Sequence, residues 1–187
     1  MNSMNAMLAT LRPVIDEATS AFDDYDYTRA LERTEPFFWS FCDDYLELVK
    51  ARAYSGDPSA IASLRLALAT LLRLFAPFLP FVTEEVWSWW QEGSVHRAPW
   101  PSSSDLPAGT DGTTLEIAAL VLGEVRKEKT GAKKSLRADV ALAIVTGTPE
   151  QLAAIEAARS DILEAGRIAE LRTGAGEELA VDVTLAD

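Results

Sequence analysis

Apolar residues recur along the first half of the chain at the three- and four-residue spacing of amphipathic helices. The first series predicts a helix that ends at the acidic turn 23–26, and the second predicts a helix that ends near Ser55–Gly56. Because the second series keeps its phase through Pro36, we expect one helix that bends at this proline rather than two separate helices. The two series are Met4, Leu8, Leu11, Ile15, Ala18 and Phe22, then Leu31, Thr34, Phe38, Phe41, Tyr45 and Leu48.

Two further helices are predicted before Gly93. Asp57 and Pro58 are typical of a helix N-cap and of the first helical position, and two prolines after Phe75 stop this helix. It is apolar on nearly every side, which indicates the central helix of a bundle. Its inward face is predicted to comprise Ile61, Leu64, Leu68, Leu71, Leu72 and Phe75. A capped, acidic start at Thr83–Glu85 predicts one more helix, so residues 1–101 are expected to form an antiparallel bundle of about four helices.

The pattern changes after Ser94, where prolines, glycines and small polar residues predict a loop that continues as a linker over 102–112. Residues 113–187 then alternate between helical and strand-like patterns. The order is a helix from Thr114 to about Lys129, a strand over 140–147, a helix from Thr148 through Leu163, and strands over 167–172 and 179–185. The predicted fold is therefore mainly α: an antiparallel helical bundle followed by a small α+β domain with about three strands.

Composition restricts the class of protein. The 187 residues carry 17 basic and 29 acidic side chains, a net charge of −12, and 48% of them are hydrophobic, which argues against disorder. A single cysteine excludes an internal disulfide, and with a single histidine it leaves no zinc site of the ordinary ligand types. No stretch approaches the roughly 20 apolar residues of a membrane-spanning helix. We therefore predict a cytoplasmic protein with no metal site and no membrane partner.

One segment reverses the sign of the charge. Six of the twelve residues from 126 to 137 are basic, and Glu128 is the one acid among them. Such clustering suits the neutralisation of nucleic-acid phosphates, because each contact releases condensed counterions. A solvated basic surface is the alternative. The six residues are Arg126, Lys127, Lys129, Lys133, Lys134 and Arg137.

Three segments resemble a known family. They read DYTRALERTEPFFWSFCDDYLELVKARAY (26–54), LLRLFAPFLPFVTEEVWSWW (71–90) and SVHRAPWP (94–101). In this order and spacing they resemble the anticodon-binding helical bundle of class I aminoacyl-tRNA synthetases. The combination of FCDDYLE (41–47) with VHRAPWP (95–101) is most similar to the bacterial valyl-tRNA synthetase family. The resemblance is strong over residues 7–101 and weaker over 112–145.

This resemblance implies that the chain is the anticodon-loop-binding portion of a synthetase, which supplies tRNA recognition to an ATP-dependent aminoacylation. The HIGH and KMSKS signatures and the editing domain of the family are absent from the sequence. We therefore expect no catalytic residues and no cofactor here, since ATP and Mg²⁺ belong to the parent enzyme. The expected partners are valine tRNA isoacceptors and the catalytic domain of the same parent polypeptide. The family has a bundle helix before this chain's start and often a coiled coil after its end, so we expect an excised or truncated portion.

Proteins read an anticodon loop by stacking on its bases and by hydrogen bonds to base edges, while basic side chains hold the phosphates. The resemblance implies that Leu46 is a packing surface for a base and that Glu47 accepts a hydrogen bond from an exocyclic amino group. Ordinary packing for Leu46 and a solvated charge for Glu47 are the alternatives. The predicted phosphate contacts are the basic segment above together with Arg29, Arg33, Lys50 and Arg52.

A protein-interaction scaffold without RNA binding is the alternative function. The acidic balance supports it, as does the lack of a dominant basic face in the first half of the chain. The orientation of the cations separates the two hypotheses, because RNA binding needs the basic segment and the second helix to share a surface. An independent enzyme has little support, since neighbouring acids such as Asp43 and Asp44 diverge on a helix and do not form an acid/base couple.

Overall fold

The computed structural model describes residues 3–107 and 112–186, with side chains from Met7 onward. The chain is mainly α, as predicted: a helical bundle (α1–α5) is followed by a small α+β unit. The side chain of Met4, a member of the first predicted series, is outside the part that the structure describes. Residues 108–111 of the predicted linker are also outside it. The elements are α1 (Ser3–Asp23), α2 (Tyr27–Ser40), a π-helical turn (Phe41–Tyr45), α3 (Leu46–Tyr54), α4 (Pro58–Phe75), α5 (Pro80–Ser88), α6 (Thr113–Gly131), β1 (Val140–Gly147), α7 (Pro149–Ala157), α8 (Arg159–Gly166), β2 (Ile168–Ala175) and β3 (Ala180–Leu185).

The second predicted helix is observed as α2, the π-helical turn and α3 in direct succession. Pro36 lies inside α2 without ending it. The π-helical turn was not predicted; it widens the helix just before α3, where the Leu46 N–H donates to the Phe41 carbonyl. Phe41 and Tyr45 both point inward from this turn, with their ring centroids 5.7 Å apart. The turn therefore keeps the apolar series buried across the change in helix geometry.

The start of α4 is as predicted, and its buried face is predicted in part, since Leu71 and Leu72 are buried as expected. The Asp57 carboxylate accepts the backbone N–H groups of Ser59 and Ala60 at 2.8 and 3.1 Å, and Pro58 follows it. The predicted inward residue Ile61 is 37% exposed. The face that packs inward is built largely from small residues, which let neighbouring helices approach closely. Its members are Ala60, Ser63, Ala67, Thr70, Leu71, Leu72 and Leu74.

This close approach brings Tyr45 against α4. The Tyr45 hydroxyl lies 3.1 Å from the Ser63 Oγ, and the tyrosine side chain has no solvent exposure. Burial raises the pKa of Tyr45 to about 12, although the Ser63 hydrogen bond and Arg52 act in the opposite direction. The tyrosine therefore serves as a neutral packing residue at the centre of the bundle.

By length and composition alone α4 is apolar enough to cross a membrane, contrary to the sequence prediction that no stretch approaches this length. In the fold, 39% of its residues are buried, and it contacts α1, α2, α3 and α5. These contacts place α4 within the helical bundle.

The helix α5 starts and ends earlier than predicted. Pro80 occupies its first turn, so the predicted start at Thr83 was wrong, and the helix ends at Ser88 instead of Gly93. Thr83 lies inside the helix, where its hydroxyl donates to the Leu79 carbonyl at 2.8 Å. Proline is favoured at the first helical position, because its φ suits the helix and the N–H that it lacks has no partner within the helix there.

The predicted loop after α5 packs along the bundle. The Trp100 ring meets the Phe22 ring edge to face at 5.1 Å, and its Nε1–H donates to the Thr19 Oγ1 at 2.9 Å. The Arg12 guanidinium donates to the carbonyl of buried Leu106 at 2.8 Å. These contacts attach residues 95–106 to α1.

The C-terminal unit is a three-stranded sheet in the order β2-β1-β3, with β1 parallel to β2 and antiparallel to β3. The helices α7 and α8 connect the two parallel strands. One hydrophobic cluster continues from α1 and α3 through α6 to β1 and α8. Because α6 contacts α1 on one side and α7, α8 and β3 on another, it joins the bundle to the sheet.

Candidate nucleic-acid interface

A groove of about 370 Å³ lies where the π-helical turn and α3 face α6 and the segment after it. We call it the α3–α6 groove. It brings Glu47, one of the two predicted base-reading residues, together with two members of the basic segment, which are 79 and 82 residues later in the chain. Its lining comprises Cys42, Asp43, Glu47, Leu122, Val125, Arg126, Lys129, Leu136, Ala165 and Gly166.

Arg126 bridges the two walls of this groove. Its Nη1 donates to the Asp44 Oδ1 at 3.0 Å, and its Nη2 donates to the Asp43 carbonyl at 2.6 Å. A guanidinium presents donors in a fixed planar fork, so two simultaneous bonds fix its orientation. The side chain keeps 34% exposure. Arg126 therefore attaches α6 to the π-helical turn and still presents positive charge at the groove.

The two predicted base-reading residues are placed differently. Glu47 is partly exposed in the groove wall, and the Lys50 Nζ donates to its Oε2 at 2.5 Å. Leu46 is half-buried and is not part of the groove lining. Glu47 and Lys50 thus form an ion pair at the surface of α3.

Lys129 differs from the rest of the basic segment because it is buried, with 1% exposure. Its Nζ donates to the Gly166 carbonyl at 2.9 Å and to the Leu136 carbonyl at 3.1 Å. Burial lowers the pKa of this ammonium, and the nearby Arg167 adds to the effect. An ammonium enclosed in this way holds the end of α8 and the segment after α6 together, and we leave it out of the RNA surface proposed below.

The remaining cations of the segment are at the surface. Lys127 is 71% exposed and pairs with Glu124 at 3.0 Å, which raises its pKa. Lys134 donates to the Ala186 carbonyl at 2.6 Å. Lys133 and Arg137 are exposed. These four side chains surround the end of α6 and the segment that follows it.

The cations of α2 and α3 are mostly engaged with carboxylates. Arg33 pairs with Glu17 on α1 at 3.1 Å, and Arg29 lies 3.7 Å from Asp24. Arg52 forms an ion pair with Asp161 on α8: its Nη2 donates to Oδ2 at 3.0 Å, and its Nε lies 2.8 Å from Oδ1. Arg52 therefore connects the bundle to the C-terminal unit, whereas the other two arginines hold α2 against α1.

A larger groove of about 520 Å³ lies between α1, the π-helical turn and α6. Apolar side chains such as Phe37 form much of its wall, and the carboxylates of Asp44, Glu116 and Glu124 are also in its lining. Carboxylates repel a polyanion, and no predicted RNA contact lies in this groove. The α3–α6 groove also contains two carboxylates, those of Asp43 and Glu47, but Arg126 lies in its lining, whereas none of the described residues that line the larger groove is a lysine or an arginine. The smaller α3–α6 groove is therefore the better candidate for RNA.

Sequence reasoning missed three features of the α3–α6 groove: the wall residues Cys42 and Leu136, and the Asp43 carbonyl that receives Arg126. Leu136 stands between basic residues, so no apolar periodicity identifies it. Cys42 is a free thiol whose pKa is raised by burial and by the neighbouring Asp43. Within residues 3–107 and 112–186, no three His, Cys, Asp or Glu side chains are grouped so as to hold a metal ion.

Comparison with known proteins gives consistent matches. Residues 5–142 match the family described as the anticodon-binding domain of tRNA ligase. The chain is 53% identical to the valine–tRNA ligase of Thermobifida fusca, over 97% of this chain and 21% of that protein. It is 50% identical to the enzyme of Leifsonia xyli subsp. xyli (96% and 22%) and 50% identical to that of Salinispora tropica (96% and 24%). The chain thus spans about a fifth of the length of these relatives.

Proposed function

Since the chain belongs to the anticodon-binding domain family of tRNA ligases, we propose that it is the anticodon-loop-binding part of a cytoplasmic valine–tRNA ligase. The valine assignment follows the names of the relatives. The bundle, residues 1–101, supplies the base-reading residue Glu47, and the unit of residues 113–187 supplies the basic side chains at the end of α6. Aminoacylation with ATP and Mg²⁺ belongs to the catalytic domain of the parent polypeptide. Binding of the anticodon loop to this chain positions the acceptor end of the tRNA in that catalytic site.

The observation that carries this proposal is that a carboxylate acceptor and a guanidinium donor lie on facing walls of the α3–α6 groove. Glu47 offers an acceptor for an exocyclic amino group, and Arg126 offers donors on the facing wall. Lys127, Lys133 and Arg137 provide exposed positive charge around the end of α6. An unpaired loop has both base edges and phosphates to satisfy, and this arrangement addresses both.

A protein-interaction scaffold stays the second candidate. Its support is that Arg29 and Arg33 pair with carboxylates next to or on α1 and do not line the α3–α6 groove. The basic segment and the first part of the second helix therefore do not form one continuous basic surface. The family match and the Glu47–Arg126 juxtaposition favour RNA binding over this alternative, and the two experiments below separate them.

Replacing Glu47 with glutamine in the ligase polypeptide is expected to reduce discrimination against tRNA with an altered anticodon. The amide keeps the shape of the side chain but replaces one acceptor oxygen with a donor. A specific contact to a base edge is worth about 1–3 kcal/mol of discrimination. Filter binding and aminoacylation kinetics with the valine tRNA and an anticodon variant measure this ratio.

The matched control is Glu124→Gln, because Glu124 also pairs with a lysine three residues later but lies outside the α3–α6 groove. Leu46→Ala tests the predicted packing surface in the same assay. An unchanged ratio in the Glu47→Gln variant would remove this residue from the recognition site.

Replacing Lys133 and Arg137 together with alanine is expected to weaken tRNA binding and to flatten its salt dependence. Each lost phosphate contact lowers the slope of log K against log salt by about 0.7–0.9. Binding titrations at several salt concentrations measure the slope. Arg65→Ala is the control, because this exposed arginine lies over the Trp90 ring and does not line the α3–α6 groove. Equal slopes in all three proteins would favour the scaffold.

A further inference from the structure

One end of the bundle carries several exposed apolar side chains on two neighbouring turns. The Phe22 ring lies 5.7 Å from the Tyr27 ring and 5.8 Å from the Phe78 ring, so the α1–α2 turn and the α4–α5 turn are side by side. Five large apolar side chains around these turns are at least half exposed. They are Tyr25 (80%), Tyr27 (53%), Leu79 (50%), Phe81 (89%) and Val82 (53%), and we call this surface the apolar end.

Tyr25 occupies a position that usually holds glycine. Its φ is +58°, and the Asp26 N–H reaches back to the Ala21 carbonyl at 2.8 Å, as in a Schellman turn. A side chain in the left-handed region carries a conformational cost that glycine avoids. The fold thus exposes an aromatic ring at a position whose backbone conformation favours glycine.

The charges beside the α1–α2 turn are mostly negative. Asp23, Asp24 and Asp26 flank Tyr25, and Arg29 lies 3.7 Å from Asp24. This acidic rim repels RNA phosphates. It also disfavours a symmetric contact between two copies of the chain, because such a contact would bring the two acidic rims together. The complementary partner surface has an apolar centre and a basic rim.

We propose that the apolar end is the surface through which this chain packs against the remainder of the ligase polypeptide. This inference rests on the proposed function. The chain corresponds to only 22% and 21% of the length of two relatives, so most of such a polypeptide lies outside it. The surface is also well separated from Tyr54 at the far end of α3, since the 28 residues from Tyr27 span about 40 Å as helix. Packing at one end leaves the α3 part of the bundle open to the anticodon loop.

Cysteine labelling tests the proposal with a matched pair of positions. Phe81 and Tyr54 are both 89% exposed, and they lie at opposite ends of the bundle. The Phe81→Cys and Tyr54→Cys variants of the complete ligase polypeptide are labelled with a maleimide in the absence of tRNA. Peptide mass spectrometry gives each rate, which is divided by the rate of the same site in urea. We expect the Phe81→Cys site to react about tenfold or more slowly than the Tyr54→Cys site, because reaction requires local opening of a packed interface.

Equal normalised rates at the two sites would overturn the proposal. Val82→Cys repeats the measurement at a second position of the apolar end, in case Phe81→Cys perturbs the protein. Sedimentation of the wild type and of Phe81→Asp identifies the alternative occupant, since a dimer that this change dissociates would assign the surface to a second copy. Glu47→Gln discrimination, measured on the same polypeptide, reports the proposed function independently, so either proposal can fail while the other stands.

Discussion

Replacing Asp161 with alanine is expected to lower the free energy of unfolding by about 3 kcal/mol. Asp161 is 5% exposed, and its two carboxylate oxygens receive the Arg52 guanidinium at 2.8 and 3.0 Å. Removing the carboxylate leaves a largely buried cation with a more distant counter-charge, Asp57, at 3.7 Å. The cost is set mainly by this remaining charge, because breaking a buried pair is far more destabilising than replacing both members.

Urea unfolding followed by circular dichroism measures this effect. Glu156→Ala is the control, because Glu156 is 66% exposed and pairs with Arg159 at 3.1 Å. Such exposed pairs contribute at most about 1 kcal/mol. A double variant, Arg52→Met with Asp161→Leu, is expected to be more stable than Asp161→Ala alone, since it removes both charges. If Asp161→Ala costs no more than Glu156→Ala, the pair does not connect α3 to α8 in the way described.

Replacing Lys129 with methionine is expected to lower the free energy of unfolding by about 2–3 kcal/mol. The change leaves the buried Gly166 carbonyl without its donor, and an unsatisfied buried group costs about 1–3 kcal/mol. It also removes the hydrogen bond to the carbonyl of the exposed Leu136. Part of this cost is offset, because the methionine no longer places an ammonium in a site where burial lowers its pKa. Methionine has a similar length and leaves little empty volume.

The control for this variant is Lys127→Met, two residues away, where the side chain is 71% exposed. Its unfolding transition is expected to coincide with that of the wild type. The salt dependence of tRNA binding provides a second measurement, since Lys129→Met is expected to leave the slope unchanged, unlike the Lys133 and Arg137 change. A flattened slope in Lys129→Met would place this ammonium on the RNA and contradict its structural role.

The sequence predicted the helices of the bundle well where local signals define them. The apolar spacing located α1, and the Asp57–Pro58 pair located the start of α4. The inward face of α4 was predicted only in part. Leu71 and Leu72 are buried as expected, but a prediction from hydrophobicity selects large apolar residues and so missed the buried small residues Ala60, Ser63 and Ala67. The π-helical turn has no comparable signal, since it reflects packing of Phe41 and Tyr45 against the rest of the bundle.

The basic segment shows what charge counting alone leaves open. Lys129 follows Leu122 and Val125 at the spacing of the buried face of α6, so a signal for its burial was present in the sequence. Arg126 and Arg52 are different cases. Their partners Asp44 and Asp161 lie 82 and 109 residues away, and only the folded chain brings these charges together.

The two hydrogen bonds from Arg126 to the π-helical turn affect how a ligand would bind in the α3–α6 groove. Because Arg126 joins the two walls of the α3–α6 groove, the walls move together and the groove is preformed. Most of the conformational entropy lost on binding is then lost by the anticodon loop and little by the protein. Under these conditions, how readily its nucleotides unstack governs the strength of capture more than any rearrangement of the protein.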